Sequence, residues 1–203
     1  MPRKTATPYH HGDLRAALLA SAFQILKREG LGSLSLREVA RQAGVSHQAP
    51  YHHFATRGHL LAALATEGFD KLAGELERLQ AAAKSPAEAA RESGVRYVTF
   101  AAVNPERFRL MFGGEIGARS PYPELQSASY RVFSLLVRPF GLAPSHGRGA
   151  PDPIVLTLWS TVHGLAALVV DGQVPLAGTA LEAAARATTE RVWLGIREAI
   201  EGG

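Results

Sequence analysis

Apolar residues recur at helical spacing almost from the start of the chain. Leu14, Leu18, Ala22 and Ile25 stand at i, i+4, i+8 and i+11, which predicts an amphipathic helix over 13–29. Asp13 is placed to cap its start and Gly30 to follow its end. Ser35-Leu36-Arg37-Glu38 has the form of a capping box, and Leu36, Val39, Ala40 and Ala43 continue from it as an apolar stripe. A second helix therefore runs to Gly44. Only Val45 and Ser46 precede a short third helix, predicted over 47–54 with Ser46 as its cap. Thr56 is placed to cap a fourth helix carrying Leu60, Leu61, Leu64, Phe69, Leu72, Leu76 and Leu79.

The stretch Ala81 to Pro86 reads as a junction, and three helix starts of one type come after it. Ser85-Pro86, Asn104-Pro105 and Asp152-Pro153 each place a capping residue before a proline, which predicts helices opening near 86, 105 and 153. Further helices fit 123–140 and 179–200, and 141–152 is turn-rich. No period-2 alternation between turn signals stands out, so the predicted class is all-α. Pro153 to Val170 carries no charge over 18 residues, the lower limit for a spanning helix. Thr157, Ser160, Thr161, His163 and Gly164 interrupt it, and no basic cluster flanks it, so burial in a core or a dimer interface is the expected reading rather than a membrane.

Charge changes the picture. The net charge is +4, but residues 1–60 hold eight Lys/Arg against three acids, and six of the eight His. Residues 61–203 are nearly balanced. A basic N-terminal third on a neutral body suits a polyanionic partner for that third, although a solvated basic surface has the same composition. Cysteine is absent, which excludes thiol nucleophiles and Cys-ligated zinc. His10 and His11 lack a third ligand at helical spacing, so neither a metal nor another cofactor is expected. No nucleophile elbow, phosphate loop or His-Glu-x-x-His pattern appears, so no enzyme activity is expected. Met1 to Arg15 has no apolar signal region, and a cytoplasmic location is expected.

Two helices joined by a Gly-containing turn of about three residues form a helix-turn-helix. Ala40 is small where the helices cross, Gly44 permits the turn, Val45 fills the space beneath it and Ser46 starts the next helix. The run Leu36-Arg37-Glu38-Val39-Ala40-Arg41-Gln42-Ala43-Gly44-Val45-Ser46, then Tyr51-His52-His53-Phe54 and Leu60-Leu61, resembles the DNA-binding domain of the TetR family of bacterial transcriptional regulators. The resemblance covers roughly residues 10–70. Trp159 to Gly164 more weakly resembles the Trp-His-Gly motif of one TetR C-terminal class. The family implies an all-helical homodimer with DNA-binding heads and a ligand-responsive C-terminal domain. On this reading 1–10 is a basic tail, 11–58 the DNA-binding domain, 59–84 a connecting helix, and 85–203 the effector-binding and dimerisation domain. The dimer is expected through helices near 153–171 and 179–200. The last of these carries Leu181, Ala185, Thr188, Val192, Ile196 and Ala199 along one side.

Site residues follow from chemistry and from the resemblance. Gln48 can contact adenine, His47 guanine or a phosphate, and Ala49 a thymine methyl. The resemblance implies that Tyr51 donates to a phosphate and that Arg57 takes the basic position at the next helix. His52 is expected at the groove or its wall, and His53 and Phe54 inside the head. Ser35 and Arg37 stand at a helix N-terminus, where phosphate is favoured. Pro50 departs from the family pattern, in which Leu is common, and predicts a tight or locally distorted first turn without loss of the helix. In the C-terminal part, Arg96, Tyr97, Phe100, Phe108, Met111, Trp159 and His163 suit an effector pocket, and suit an ordinary core equally. The expected function is a repressor released from a palindromic operator by a small molecule. The alternative is a ligand-insensitive architectural DNA-binding protein.

Overall fold

The computed structural model describes residues 11–119, 121–142 and 152–201, without the side chains of 11–13, 200 and 201. The basic tail over 1–10, the side chain of Asp13 and most of the 141–152 turn lie outside the described residues. Among the described residues there are eight α-helices, four short 3-10 helices and no strand. The α-helices are α1 His11–Glu29, α2 Leu36–Ala43, α3 Arg57–Ala82, α4 Pro86–Val103, α5 Pro105–Phe112, α6 Pro123–Val137, α7 Pro153–Val170 and α8 Gly178–Glu201. The all-α class read from the periodicity is the class observed. The chain forms two compact units, Met1–Leu64 and Ala65–Gly203, and the division falls inside α3.

Most predicted helix starts are made by the residues expected. Ser35 Oγ accepts from the Glu38 N–H at 3.2 Å, Ser85 Oγ from the Glu88 N–H at 3.2 Å, and Asp152 Oδ1 from the Ile154 N–H at 2.7 Å. Thr56 Oγ1 accepts from the His59 N–H at 3.3 Å at the start of α3. Asn104 departs from its expected role. A single residue separates α4 from α5, and the Asn104 side chain donates back to the Phe100 carbonyl at 2.9 Å, closing α4 instead of capping α5. The helix expected over 123–140 is α-helical only to Val137 and finishes as a 3-10 turn over Arg138–Phe140. Pro139 has no N–H for the Leu135 carbonyl, and the Gln80 side chain supplies that donor at 2.6 Å.

In the first unit α1 packs on α2. Leu18, Leu19, Ala22 and Ile25 of α1 and Val39 and Ala40 of α2 are buried. In the second unit α4 is the central helix and packs on both α7 and α8. Val155, Leu158, Val162, Ala166 and Val170 form the buried side of α7. These are five of its 18 residues, so the core accounts for one of its faces and not for the other. Among the described residues it is the helix long and apolar enough to cross a membrane by length and composition. The α8 stripe divides as well. Leu181 and Ala185 are buried within the unit, Thr188, Val192 and Ala199 border a surface groove between α7 and α8, and the buried Ile196 reaches the floor of that groove. The sequence stripe had merged two faces.

Gly94 makes the α4–α8 crossing possible. A Cβ there would stand 2.7 Å from Thr189 Cγ2, closer still to Oγ1, and 3.1 Å from Thr189 Cβ. Rotating Thr189 cannot clear both branches, and its hydroxyl already donates to the Ala185 carbonyl at 2.8 Å. Gly94→Ala should therefore destabilise the protein by about 1–3 kcal/mol through overpacking. Urea unfolding measures this, and Thr189→Ala in the same chain should recover part of the stability. Equal stability of Gly94→Ala and wild type would contradict the close crossing.

Candidate DNA-binding turn and ligand cavity

The helix-turn-helix is built on Gly44. Its φ of 68° places it in the left-handed region, where glycine is free of strain. The Val45 N–H donates to the Ala40 carbonyl at 3.0 Å and the Gly44 N–H to the Arg41 carbonyl at 3.2 Å, a Schellman-type end to α2. The chain is thus turned sharply within two residues.

Beyond this turn the α-helix expected over 47–54 is absent, and a single 3-10 turn, Ala49–His52, stands in its place. Pro50 is the cause. It has no N–H to give the Ser46 carbonyl, which accepts instead from Ala49 at 3.0 Å, and the next link, from Tyr51 to Gln48 at 3.1 Å, is also of the i→i−3 kind. Ser46 contributes its carbonyl rather than the side-chain cap expected of it. Pro50 and Phe54 are buried beneath the turn. Ser46, His47, Gln48 and His52 are exposed, Tyr51 is 46% exposed, and Ala49 is half-buried. Four side chains of mixed donor and acceptor type and a phenol thus stand on one short exposed segment.

The basic residues divide by their partners. Arg41 is held by Glu38, with Nε donating to Oε2 at 2.9 Å, and this hydrogen bond lowers the Glu38 carboxyl below its ordinary value. Arg37 is exposed and has no ion pair among the described residues. Ser35 is exposed beside it, although its hydroxyl also serves as the α2 cap. Arg57 is committed differently from the role implied by resemblance. Its Nε donates to the Leu34 carbonyl at 2.7 Å and its Nη2 to the Leu31 carbonyl at 2.8 Å. It ties the first turn of α3 to the segment between α1 and α2. Arg15, which sequence reading passed over, lies 5.6 Å from the centre of the Phe54 ring.

In the second unit the structure opens a cavity of about 810 Å³. That lies within the range of about 300–1,000 Å³ usual for small-molecule sites. Tyr97, Trp159 and His163 line it, as expected. Phe100, Phe108 and Met111 are buried and outside its lining, so the core reading describes them. Phe108 nonetheless stacks behind His163 at 5.4 Å. Arg96 also lies outside the lining, half-exposed and 3.9 Å from Glu75. The lining cation is Arg119, in the loop before α6, and α6 adds Gln126, Ser129, Tyr130 and Phe133. The α6 residues recur at helical spacing, a stripe that could have been read. Arg119 sits in a Gly/Ser-rich loop with no periodicity to mark it.

The polar centre of the cavity is neutral. Burial pushes the Tyr97 phenol far above its ordinary value and holds the His163 imidazole below its own. The Tyr97 hydroxyl lies 2.8 Å from His163 Nδ1, and Trp159 is a further hydrogen-bonding neighbour of the phenol. The phenol and a neutral imidazole can each donate or accept in this contact, so the imidazole tautomer sets its direction.

An all-α chain with an exposed helix-turn-helix in one unit and an aromatic-lined cavity in the other is the architecture of a DNA-binding regulator. The comparisons with known proteins agree. A family model described as bacterial regulatory proteins, tetR family, matches residues 18–64, and one described as Tetracyclin repressor-like, C-terminal domain, matches residues 90–192. A solved structure of a protein with unknown function from Rhodococcus sp. RHA1 is 36% identical, covering 94% of this chain and 98% of that one at a TM-score of 0.76. The TetR family transcriptional regulator PfmR from Thermus thermophilus is 18% identical over 87% of this chain and 97% of its own, with a TM-score of 0.62. The fatty acid degradation regulator FadR from Bacillus halodurans is 14% identical over 96% and 99%, with a TM-score of 0.66. These last two share the fold. The curated proteins gave no match. The chain belongs to the TetR family of bacterial regulators.

The Arg57 geometry yields a measurable consequence. Arg57→Ala removes two charge-assisted hydrogen bonds and should lower stability by about 1–3 kcal/mol. Arg37→Ala, at an exposed residue, should leave the thermal midpoint within about 1 °C of wild type. Thermal unfolding followed by circular dichroism separates the two, and an unshifted Arg57→Ala midpoint would show that the contacts to Leu31 and Leu34 do not hold the first unit together.

Proposed function

We propose that this protein is a repressor that holds a palindromic operator as a homodimer and leaves it when a small molecule fills the cavity of the second unit. The observation that carries the effector part is the cavity itself. An architectural DNA-binding protein has no use for an 810 Å³ space lined by aromatic rings and polar tips. The operator part rests on the exposed segment from Ser46 to His52. On this reading His47, Gln48 and Ala49 read base edges, while Ser35, Arg37 and the Tyr51 hydroxyl hold phosphate. His52 lies at the groove wall and Ser46 fixes the start of the turn. Arg57 adds its charge to the phosphate field while its donors hold the first unit together.

The homodimer reading draws on the outer faces of α7 and α8. Thr157, Thr161, Gly164 and Leu168 follow one another at i, i+4, i+7 and i+11 on α7, and Thr188, Val192, Gly195 and Ala199 do so on α8. Added Cβ atoms at Gly164 and Gly195 would meet nothing within 4 Å, and Leu168 and Leu194 are 46% and 54% exposed. Small residues beside stranded leucines suit a four-helix contact with a second copy. Such a contact also accounts for the apolar composition of α7 without a membrane. A two-fold dimer imposes a palindromic site.

The effector needs only a different affinity for two arrangements of the protein. α3 begins at Arg57 and carries Phe69 into the cavity lining, so ligand contact and the clamp on Leu31 and Leu34 act on one helix. A coupling of about 1–3 kcal/mol lowers operator affinity about 5- to 150-fold.

Footprinting on the DNA flanking the protein's own gene tests the reading, with a protected inverted repeat as the expected result. On that site His47→Ala with Gln48→Ala should cost about 1–3 kcal/mol for each good base hydrogen-bonding pair removed, while binding to random DNA holds. Parallel weakening on both DNAs would show that the pair does not read sequence. Ala167→Glu and Leu168→Glu should each give a folded monomer by sedimentation that fails to hold the operator. A dimer from both variants would place the interface elsewhere.

A further inference from the structure

We propose that the cavity of the second unit takes an amphipathic monocarboxylate, with Arg119 pairing the carboxylate and a row of aromatic rings receiving the apolar body. This deepens, and rests on, the reading of that cavity as the effector site.

Among the described residues, Arg119 is the one Lys or Arg in the lining, and the lining contains no Asp or Glu. Its Nη2 donates to the Met111 carbonyl at 2.6 Å, and its Cζ lies 5.4 Å from the centre of the Phe69 ring. Those contacts fix the guanidinium but leave its charge unanswered, since no ion pair to Arg119 exists among the described residues. Burial pulls Arg119 below its ordinary value, the mark of a cation that has shed water without gaining a counter-ion. A carboxylate fits the planar donor fork that remains.

The rings set the rest of the ligand. From Phe69, beside Arg119, one contact leads to Phe112 at 5.2 Å, then to His163 at 4.7 Å, to Trp159 at 5.5 Å and to Phe133 at 5.6 Å. The charged group stands at the start of this row, and its far members are apolar. His163 is kept neutral by burial, so the cavity offers a single positive charge. A dianion such as a phosphate monoester would leave one charge uncompensated, and a neutral or cationic ligand would leave Arg119 unpaired. A single carboxylate on an apolar body satisfies both features.

The test compares matched pairs, decanoate with decanol and naphthoate with naphthol, on the full-length protein by calorimetry and Trp159 fluorescence. The carboxylates should bind at least about tenfold more tightly than the alcohols. Arg119→Met should weaken carboxylate binding about 10- to 100-fold and leave the alcohols within about twofold, while Arg119→Lys keeps an intermediate preference. Should Arg119→Met fail to fold, Arg119→Gln retains a donor for the Met111 carbonyl and carries the same comparison. Equal affinity for acid and alcohol, or carboxylate binding indifferent to the charge at 119, would overturn the proposal while leaving a ligand cavity in place. No binding by any of the four probes would overturn both. Charge-dependent binding that leaves operator affinity unchanged would support the ligand class and overturn effector release.

Discussion

Arg57 and the continuity of α3 are the constraint on which the rest depends. Two hydrogen bonds, of 2.7 and 2.8 Å, fasten the first turn of α3 to the carbonyls of Leu34 and Leu31. Those carbonyls belong to the segment that delivers the chain into α2 and the helix-turn-helix. Three turns further along the same helix Phe69 enters the lining of the cavity and touches both Phe112 and Arg119. The 26 residues of α3 thus begin in the first unit and continue into the second.

The segment after Gly44 shows how one residue reshapes a motif without abolishing it. Gly44 fixes the turn, and α2 closes on it as its sequence demands. Pro50 then withholds one N–H, and the expected α-helix contracts to a 3-10 turn. Three residues per turn, in place of 3.6, change which of the exposed side chains share a face. Pro50 itself is buried, and the Ser46 carbonyl it cannot serve is satisfied by the Ala49 N–H.

Much of this was legible in the chain. Helix starts at Ser35, Thr56, Ser85 and Asp152 follow local chemistry, because a side-chain oxygen two or three residues before an unpaired N–H needs no tertiary context. Asn104 was misread because the closeness of α4 and α5 gives its amide a nearer carbonyl. The cavity lining was half legible: Tyr97, Trp159 and His163 line it, whereas Phe100, Phe108 and Met111 fill the core. Both sets are aromatic or apolar at helical spacing, so periodicity cannot tell a wall from the packing behind it. Arg96, in a helix, has a readable face and was named, whereas Arg119, in a loop, has none and was not. α7 is apolar on both sides, and only packing shows that one side is filled by its own chain.

Release of an operator by a ligand requires that cavity and operator be coupled. Linkage makes that coupling reciprocal: a ligand that weakens operator binding by some factor must itself bind the operator-loaded protein more weakly by the same factor. The direct measurement is ligand affinity for the free protein and for its operator complex, read from Trp159 after Trp193→Phe removes the second tryptophan, which lies in α8. Coupled sites predict a ratio of about 5 to 150 between the two, matched by the drop in operator affinity at saturating ligand. Identical ligand affinities with and without the operator would contradict it.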